Sequence, residues 1–469
     1  MQRSPRHRFV LNASSMAIGG LAAQACMVVV EAIIARTLGQ GDYGVFSTTY
    51  AIGIVGLFLI EMGMGWKLIQ DGSRDDRSMP ALLGTTLVLK ILLALAVYPL
   101  MLFGLMAIGL ESEAVGFFAV LFFYVLLMSL QNSLAAVYSA RQHMHVNALF
   151  QGSTPFLILI LVSLAATGSL TLRSVGVAFV AGSLIVTGIW AWRTFTIVRP
   201  VVQLGSTWQI LRGSYLYGAT GLLLHVSQRL ELFLLSIMRP MAEVGLFAAA
   251  DKLIDLGIKV AIMGNRVVAP VLFKESREQP DQFQRSCRRV VRSAAVLGVG
   301  GALALSLTAT WVVPAIFGKA FGGAGAILSI LALSLALRFM GLAAQLVVTV
   351  SDRHMRRTVA QASGVVVAGA ANFVLIPGLG GFGAACARLV GDVVQITLLL
   401  TTSGLPVGRA RALTWMLVPA LLGFICFVVT TLVELGAYSR LVAGMGLYAV
   451  LLFSTGTVRI SDIREAAGS

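Results

Sequence analysis

Long apolar runs follow one another along nearly the whole chain, each closed by a short polar or glycine- and proline-rich break. A run of about 20 apolar residues makes a helix long enough to cross a bilayer. Inside lipid, backbone polar groups must be satisfied within the segment or within a closed barrel. The runs lack the period-2 alternation of barrel strands, so the pattern predicts helices. Fourteen spans result: 9–35, 43–67, 79–108, 114–139, 146–168, 172–194, 213–238, 243–272, 290–316, 322–350, 356–376, 380–403, 411–433 and 438–458. The breaks DGSRDDRSMP (71–80), PGLGG (377–381) and SGLPVG (403–408) are turn-rich.

Composition agrees. Of 469 residues, 58% are hydrophobic and 12% charged, with a mean hydropathy of +0.89. Soluble domains hold about 25% charged residues, so the expected class is an all-α integral membrane protein. The basic start MQRSPRHRFV runs on into apolar residues to about Ile34. That is longer than the core of a cleaved signal, so it reads as a retained first span. Cys26, Cys287, Cys386 and Cys426 form neither a CxxC pair nor a His/Cys cluster, which points away from a metal or a disulfide framework.

Lys and Arg set the expected orientation, because basic connections stay in the cytoplasm. Alternate connections hold 23 of them, from Arg3 and Arg6 to Arg459 and Arg464; the other connections hold Arg36, Arg173, Arg239, Lys319 and Arg440. Both termini are therefore expected in the cytoplasm. The net charge of +15 is mostly this signal, and nucleic-acid binding is not implied. The opposite connections, of which GLESEAV (109–115) is the longest, have no room for a catalytic domain. An enzyme is not expected.

Two stretches repeat. DYGVFSTTYAI (42–52) matches EVGLFAAADKL (243–253) at an offset of 201, and RQHMHVNA (141–148) matches DRHMRRTV (352–359) at 211. Six spans duplicated by six more keep the same orientation, the parallel-repeat plan of many transporters. The expected lobes are 1–200 (spans 1–6) and 201–404 (spans 7–12), with spans 13 and 14 and a cytoplasmic tail in 405–469.

Charges inside spans are the candidate chemistry. The bases are Lys90, Arg229, Lys252, Lys259, Arg266, Arg338 and Arg388; the acids are Glu31, Glu61, Glu231, Asp251, Asp255 and Asp392. Even the mildest scale charges about 2.5–3.5 kcal/mol for an ionised group at mid-membrane. These groups must face protein, water or each other. Lys252, Lys259 and Arg266 recur every seventh residue and so share one helix face. The competing reading is plain ion pairing. Asp255 lies three residues after Lys252 and four before Lys259, and Arg388 and Asp392 are four apart, both spacings of intrahelical pairs. Arg266 and Glu61 lie near span ends, where a long side chain can reach the interface. Gln131, Asn132, His225, Gln228, Asn372 and other polar residues in spans suit either helix–helix hydrogen bonds or a cavity for a hydroxyl-rich solute.

The stretch ARTLGQGDYGVFSTTYAIGIVGLFLIEMGMGWKLIQ (35–70) resembles the polysaccharide-transporter branch of the multidrug/oligosaccharidyl-lipid/polysaccharide exporter superfamily. The branch's R-x-LG-x-x-[DE]-YG pattern stands at Arg36, Leu38, Gly39, Asp42, Tyr43 and Gly44, followed by a loosened acid-Gly motif in EMGMG (61–65). VGLFAAADKL (244–253) and NFVLIPGLGGFGAACARLVGDVV (372–394) are similar to further marks of the branch. The resemblance implies two six-helix lobes in a V working by alternating access, plus two C-terminal helices. It also implies a cationic cavity for a polyprenyl-pyrophosphate-linked oligosaccharide, as in Wzx-type flippases of the bacterial cytoplasmic (inner) membrane. On that expectation Lys90, Arg229, Lys252, Lys259, Arg266, Arg338 and Arg388 bind the head group. Glu31, Glu231, Asp251, Asp255 and Asp392 are the candidates for H⁺ or Na⁺ coupling, with the membrane potential as the other source of drive. No cofactor is expected. The partners are the lipid-linked substrate, membrane lipid and polysaccharide assembly proteins, and a monomer suffices. A lipid II-type flippase and a multidrug cation antiporter of the same superfamily stand as alternatives.

Overall fold

The computed structural model describes residues 5–203, 205, 207–351, 353–402, 409–433, 436–455 and 457. Arg3, Arg459, Arg464 and the tail beyond 457 lie outside them. Among the described residues there is no strand. The helices are α1 (Pro5–Glu61), α2 (Met64–Arg74), α3 (Met79–Ala107), α4 (Ser112–Ala140), α5 (Met144–Ala166), α6 (Leu172–Ile197), α7 (Thr207–Met238), α8 (Met241–Glu278), α9 (Pro280–Phe317), α10 (Ala324–Val350), α11 (His354–Thr402), α12 (Arg409–Leu432) and α13 (Ala437–Ser454).

α1 and α11 are each two spans. Gly39 interrupts α1 at φ 82°, inside an expected connection, and Gly380 interrupts α11 at φ 56°, within the break PGLGG (377–381) at the first residue of expected span 12. The Tyr43 hydroxyl donates to Glu31 Oε2 at 3.2 Å. In a straight helix those residues would stand about 18 Å apart, so the chain folds back at Gly39. Gly364 and Gly391, on opposite sides of Gly380, likewise face each other: a Cβ on Gly364 would lie 2.9 Å from the Gly391 carbonyl oxygen. Only glycine takes such positive φ without steric cost. With both hairpins counted as pairs, each of the fourteen expected spans has its helical segment.

Span 2 is jointed. Met62 (φ 43°) and Gly63 (φ 75°) leave the helix, and α2 restarts the same span. The expected connection between spans 8 and 9 is helical instead of loop. α8 and α9 run 38 residues each and meet at Gln279. At 1.5 Å per residue each is about 57 Å long, against a hydrocarbon core of about 30 Å, so their joined basic ends stand clear of it. Pro280 opens α9, where its missing N–H costs nothing. Phe283, Cys287 and Val291, one turn apart, bury one stripe beside Leu272.

The chain divides into two compact units, 1–245 and 246–469. This boundary lies later than the 200/201 expected for the repeat, because α7 packs into the first unit. A Cβ on Gly218 would lie 2.6 Å from the Met62 carbonyl carbon, and one on Gly213 2.8 Å from Lys67 Cε.

The first unit also contains a contact with the symmetry of the repeat. A Cβ on Gly44 would overlap the Met241 carbonyl oxygen and come within 3.1 Å of Gly245 N. A Cβ on Gly245 would overlap the Gln40 carbonyl oxygen and come within 3.2 Å of Gly44 N. Gln40 and Met241 differ by 201, as do Gly44 and Gly245. The two motifs first matched in sequence therefore cross backbone on backbone, each playing the same part toward the other. Small residues that allow such approach are a usual source of helix association in lipid.

Candidate functional site

One buried charge of the first unit sits at the joint in span 2. Lys90 of α3 is fully buried, and its Nζ lies 2.6 Å from Glu61 Oε2. The ammonium also donates to the Ser129 carbonyl of α4 at 2.8 Å, and the Ser129 hydroxyl donates to Glu61 Oε2 at 3.0 Å. The other carboxylate oxygen accepts from the Gly65 N–H at 3.2 Å. Glu61 thus neutralises a buried cation while satisfying one of the first-turn donors of α2 that a helix start leaves open. Lys90, expected at a head group, is enclosed and engaged in this structure. A lysine far from either span end cannot snorkel, and a buried charge without a partner is costly.

In the second unit Asp251 and Asp392 have partners on other helices. Arg388 of α11 is buried and pairs with Asp251 of α8, its guanidinium 5.3 Å from the Phe247 ring centroid. One turn further, Asp392 accepts from Arg338 Nε of α10 at 3.0 Å and from the Ser334 hydroxyl. The spacing of Arg388 and Asp392 allowed an intrahelical pair; the structure uses both to bind α11 to its neighbours. Arg338 and Arg388, expected at a head group, are held by carboxylates. Asp251 and Asp392, expected as ion ligands, are the groups that hold them.

The offset of 201 sets this pair beside a matching place in the first unit. At the offset of 201, Phe247 and Asp251 correspond to Phe46 and Tyr50. In the first unit those two rings stack at 5.8 Å between centroids and pack edge-on against Phe179. Where one unit stacks aromatic rings, the other sets an ion pair and a cation–π contact.

The ladder on α8 is different. Lys252 and Asp255 are half-buried; Lys259 and Arg266 are exposed. Gly257 packs against Leu335, where a Cβ would meet the side chain at 2.9 Å, and the Asn265 amide donates to the Leu342 carbonyl at 3.0 Å. These contacts put the 257/265 side of α8 on α10. At about 100° per residue the 252/255/259/266 side points broadly away from it. Of the most apolar stretch of α8 only 6% is buried, against 22–67% in the eight other helices long and apolar enough to cross a membrane among the described residues. The equivalent positions of the first repeat, Ala51, Phe58 and Gly65, carry no charge, so the ladder belongs to the second copy alone.

Three expected site residues lie elsewhere in the first unit. Glu31 is buried beneath the Tyr43 hydroxyl, and Glu231 is buried on α7. Arg229 lines an apolar cavity between α1, α3 and α7. Sequence reading missed Glu61 as the partner of Lys90, since 29 residues separate them and no helical spacing joins the two. Among the described residues no group of His, Cys, Asp and Glu could hold a metal ion.

The described helices form a multi-pass fold with charged side chains within apolar spans. Comparison with solved structures agrees on the fold. The structure titled lipid II flippase MurJ, inward closed conformation, matches with a TM-score of 0.73 and 12% identity, over 93% of this chain and 97% of that one. An inward-facing multidrug resistance MATE family transporter of the MOP superfamily matches with a TM-score of 0.68 and 16% identity, over 85% and 98%. A MOP superfamily transporter from Pyrococcus furiosus, whose title notes a binding pocket of reverse polarity, matches with a TM-score of 0.59 and 15% identity, over 86% and 96%. Comparison with curated proteins gives no match. The chain belongs to the polysaccharide biosynthesis protein family, whose profile matches residues 33–324.

Proposed function

We propose that this protein is a flippase that moves a polyprenyl-pyrophosphate-linked oligosaccharide from the inner to the outer leaflet of a bacterial cytoplasmic membrane, for surface polysaccharide export. The observation that carries the reading is the row Lys252, Lys259 and Arg266 on α8, on a side of that helix turned away from α10. Three bases on one face, with Asp255 the acid among them, leave that face net positive toward an incoming anion whatever neighbours they already touch. A lipid-linked sugar has hydroxyls and a pyrophosphate that cannot enter hydrocarbon and a tail that need not leave it. Arginine can grip a phosphate with two hydrogen bonds, and lysine acts as a point charge. Three stations at seven-residue intervals give the anion successive partners along a path of about 20 Å. The membrane potential assists, since each charge moved through 100 mV gains about 2.3 kcal/mol. The same row would repel an organic cation, which disfavours a multidrug antiporter. Both termini lie in the cytoplasm on this reading, and one copy of the chain suffices.

The test is export in a strain that depends on this gene. Lys259→Ala is expected to lower surface polysaccharide at least tenfold and to accumulate its lipid-linked precursor, with the protein still in the membrane. Lys259→Arg should keep part of the activity. Normal export by a triple Lys252→Ala, Lys259→Ala, Arg266→Ala variant would remove the basis of the proposal.

A further inference from the structure

The first unit holds a cavity of ≈360 Å³ between the second arm of α1, the last turns of α3 and α7. Its wall is apolar except for Thr48 and Arg229. Ile108 and Val226 on the rim are exposed, so the cavity is open there. It lies toward the end of α3 that leads into residues 108–111, a connection without Lys or Arg. The volume falls within the range of about 300–1,000 Å³ for small-ligand sites.

Three observations define the occupant. A cavity of this lining does not hold water, because each water needs two to four polar partners. Left empty, it would cost stability in proportion to its volume. The medium around these spans is hydrocarbon, which fits the wall. Gly104 also lines the cavity, and a Cβ there would meet nothing within 4 Å, so α3 leaves the space open where it could have filled it. Arg229 is half-buried at the lining, and a guanidinium is matched to a phosphate. An apolar chain ending in a phosphate satisfies all three. The bilayer supplies phospholipid at far higher concentration than any transported intermediate, and occupancy follows concentration. We propose that this cavity holds one acyl chain of an anionic phospholipid of the surrounding membrane, with the lipid phosphate on Arg229. The proposal does not depend on which molecule the protein transports.

The experiment uses the full chain in phosphatidylcholine vesicles containing a tenth of phosphatidylglycerol with a photoactivatable diazirine on one acyl chain. Crosslinks are mapped by mass spectrometry. They are expected to concentrate on Met101, Ile108 and Val226. Gly104→Phe, whose ring occupies the cavity, should reduce them at least fivefold. Val226→Trp should do the same from the opposite wall, which covers the case in which the first variant does not fold. Arg229→Gln should abolish the preference for this probe over phosphatidylcholine carrying the same diazirine chain. Labelling spread evenly over exposed positions such as Leu95 and insensitive to both filling variants would overturn the site. Displacement of the label by substoichiometric undecaprenyl phosphate would overturn the choice of lipid, because the cavity would then be taking a polyprenyl chain.

Discussion

Glu61→Leu is expected to cost about 3–5 kcal/mol of stability, the usual loss when one member of a buried ion pair is removed. The variant leaves the Lys90 ammonium fully buried with the Ser129 carbonyl, and it strips the Gly65 N–H of its acceptor. Lys90→Met should cost a similar amount, because it leaves a carboxylate facing only the Ser129 hydroxyl and Gly65 N–H. The double variant Lys90→Met, Glu61→Gln should recover most of the loss. It buries no net charge, and the glutamine oxygen can still accept from Gly65. Thermal unfolding of purified protein in detergent, followed by size-exclusion chromatography, reads all three. A double variant no more stable than Lys90→Met alone would mean that the unpaired carboxylate charge is not the source of the loss, against the geometry.

The second large effect is expected at the crossing of the repeated motifs. Gly44→Ala places a methyl group on the Met241 carbonyl, and Gly245→Ala places one on the Gln40 carbonyl. The obstacle in each case is backbone, so the helices must part. Overpacking of this kind costs about 1–3 kcal/mol, and export should fall with it. The two substitutions should not add, because the first separates the helices and leaves room for the second; residues in contact commonly couple in this way. Gly41→Ala is the control. It lies three residues from Gly44, meets nothing within 4 Å, and should leave stability unchanged or slightly improved, since alanine is the better helix former. A double-mutant cycle over Gly44 and Gly245, with thermal unfolding and surface polysaccharide as readouts, checks the coupling.

The spans were legible because membrane helices announce themselves locally: an apolar run long enough to cross, then a break. Gly39 fell inside an expected connection, and Gly380 inside the break PGLGG. The repeat was legible for the same reason, since its two motifs are short and contiguous, and the Gly44–Gly245 contact gives that likeness a physical cause. The ladder on α8 could be read from a period of seven. Cross-helix pairing could not. Lys90 and Glu61 are 29 residues apart, Arg338 and Asp392 are 54, and Arg388 and Asp251 are 137, so these choices depend on which helices become neighbours. Helical spacing favoured Arg388 with Asp392, and tertiary packing gave each a different partner. The joint at Met62 and Gly63 was hidden in an apolar stretch, and only the carboxylate that bridges it shows why a span would break there. The division at 245/246 reflects the packing of α7, which the offset between repeats does not report.

In the glycine crossing, position 40 meets 245 while 241 meets 44. Two identical chains joined about a two-fold axis make this kind of reciprocal contact. Residues 40–44 and 241–245 thus form, inside one chain, a local pseudo-two-fold contact whose two halves must be altered together to keep their fit.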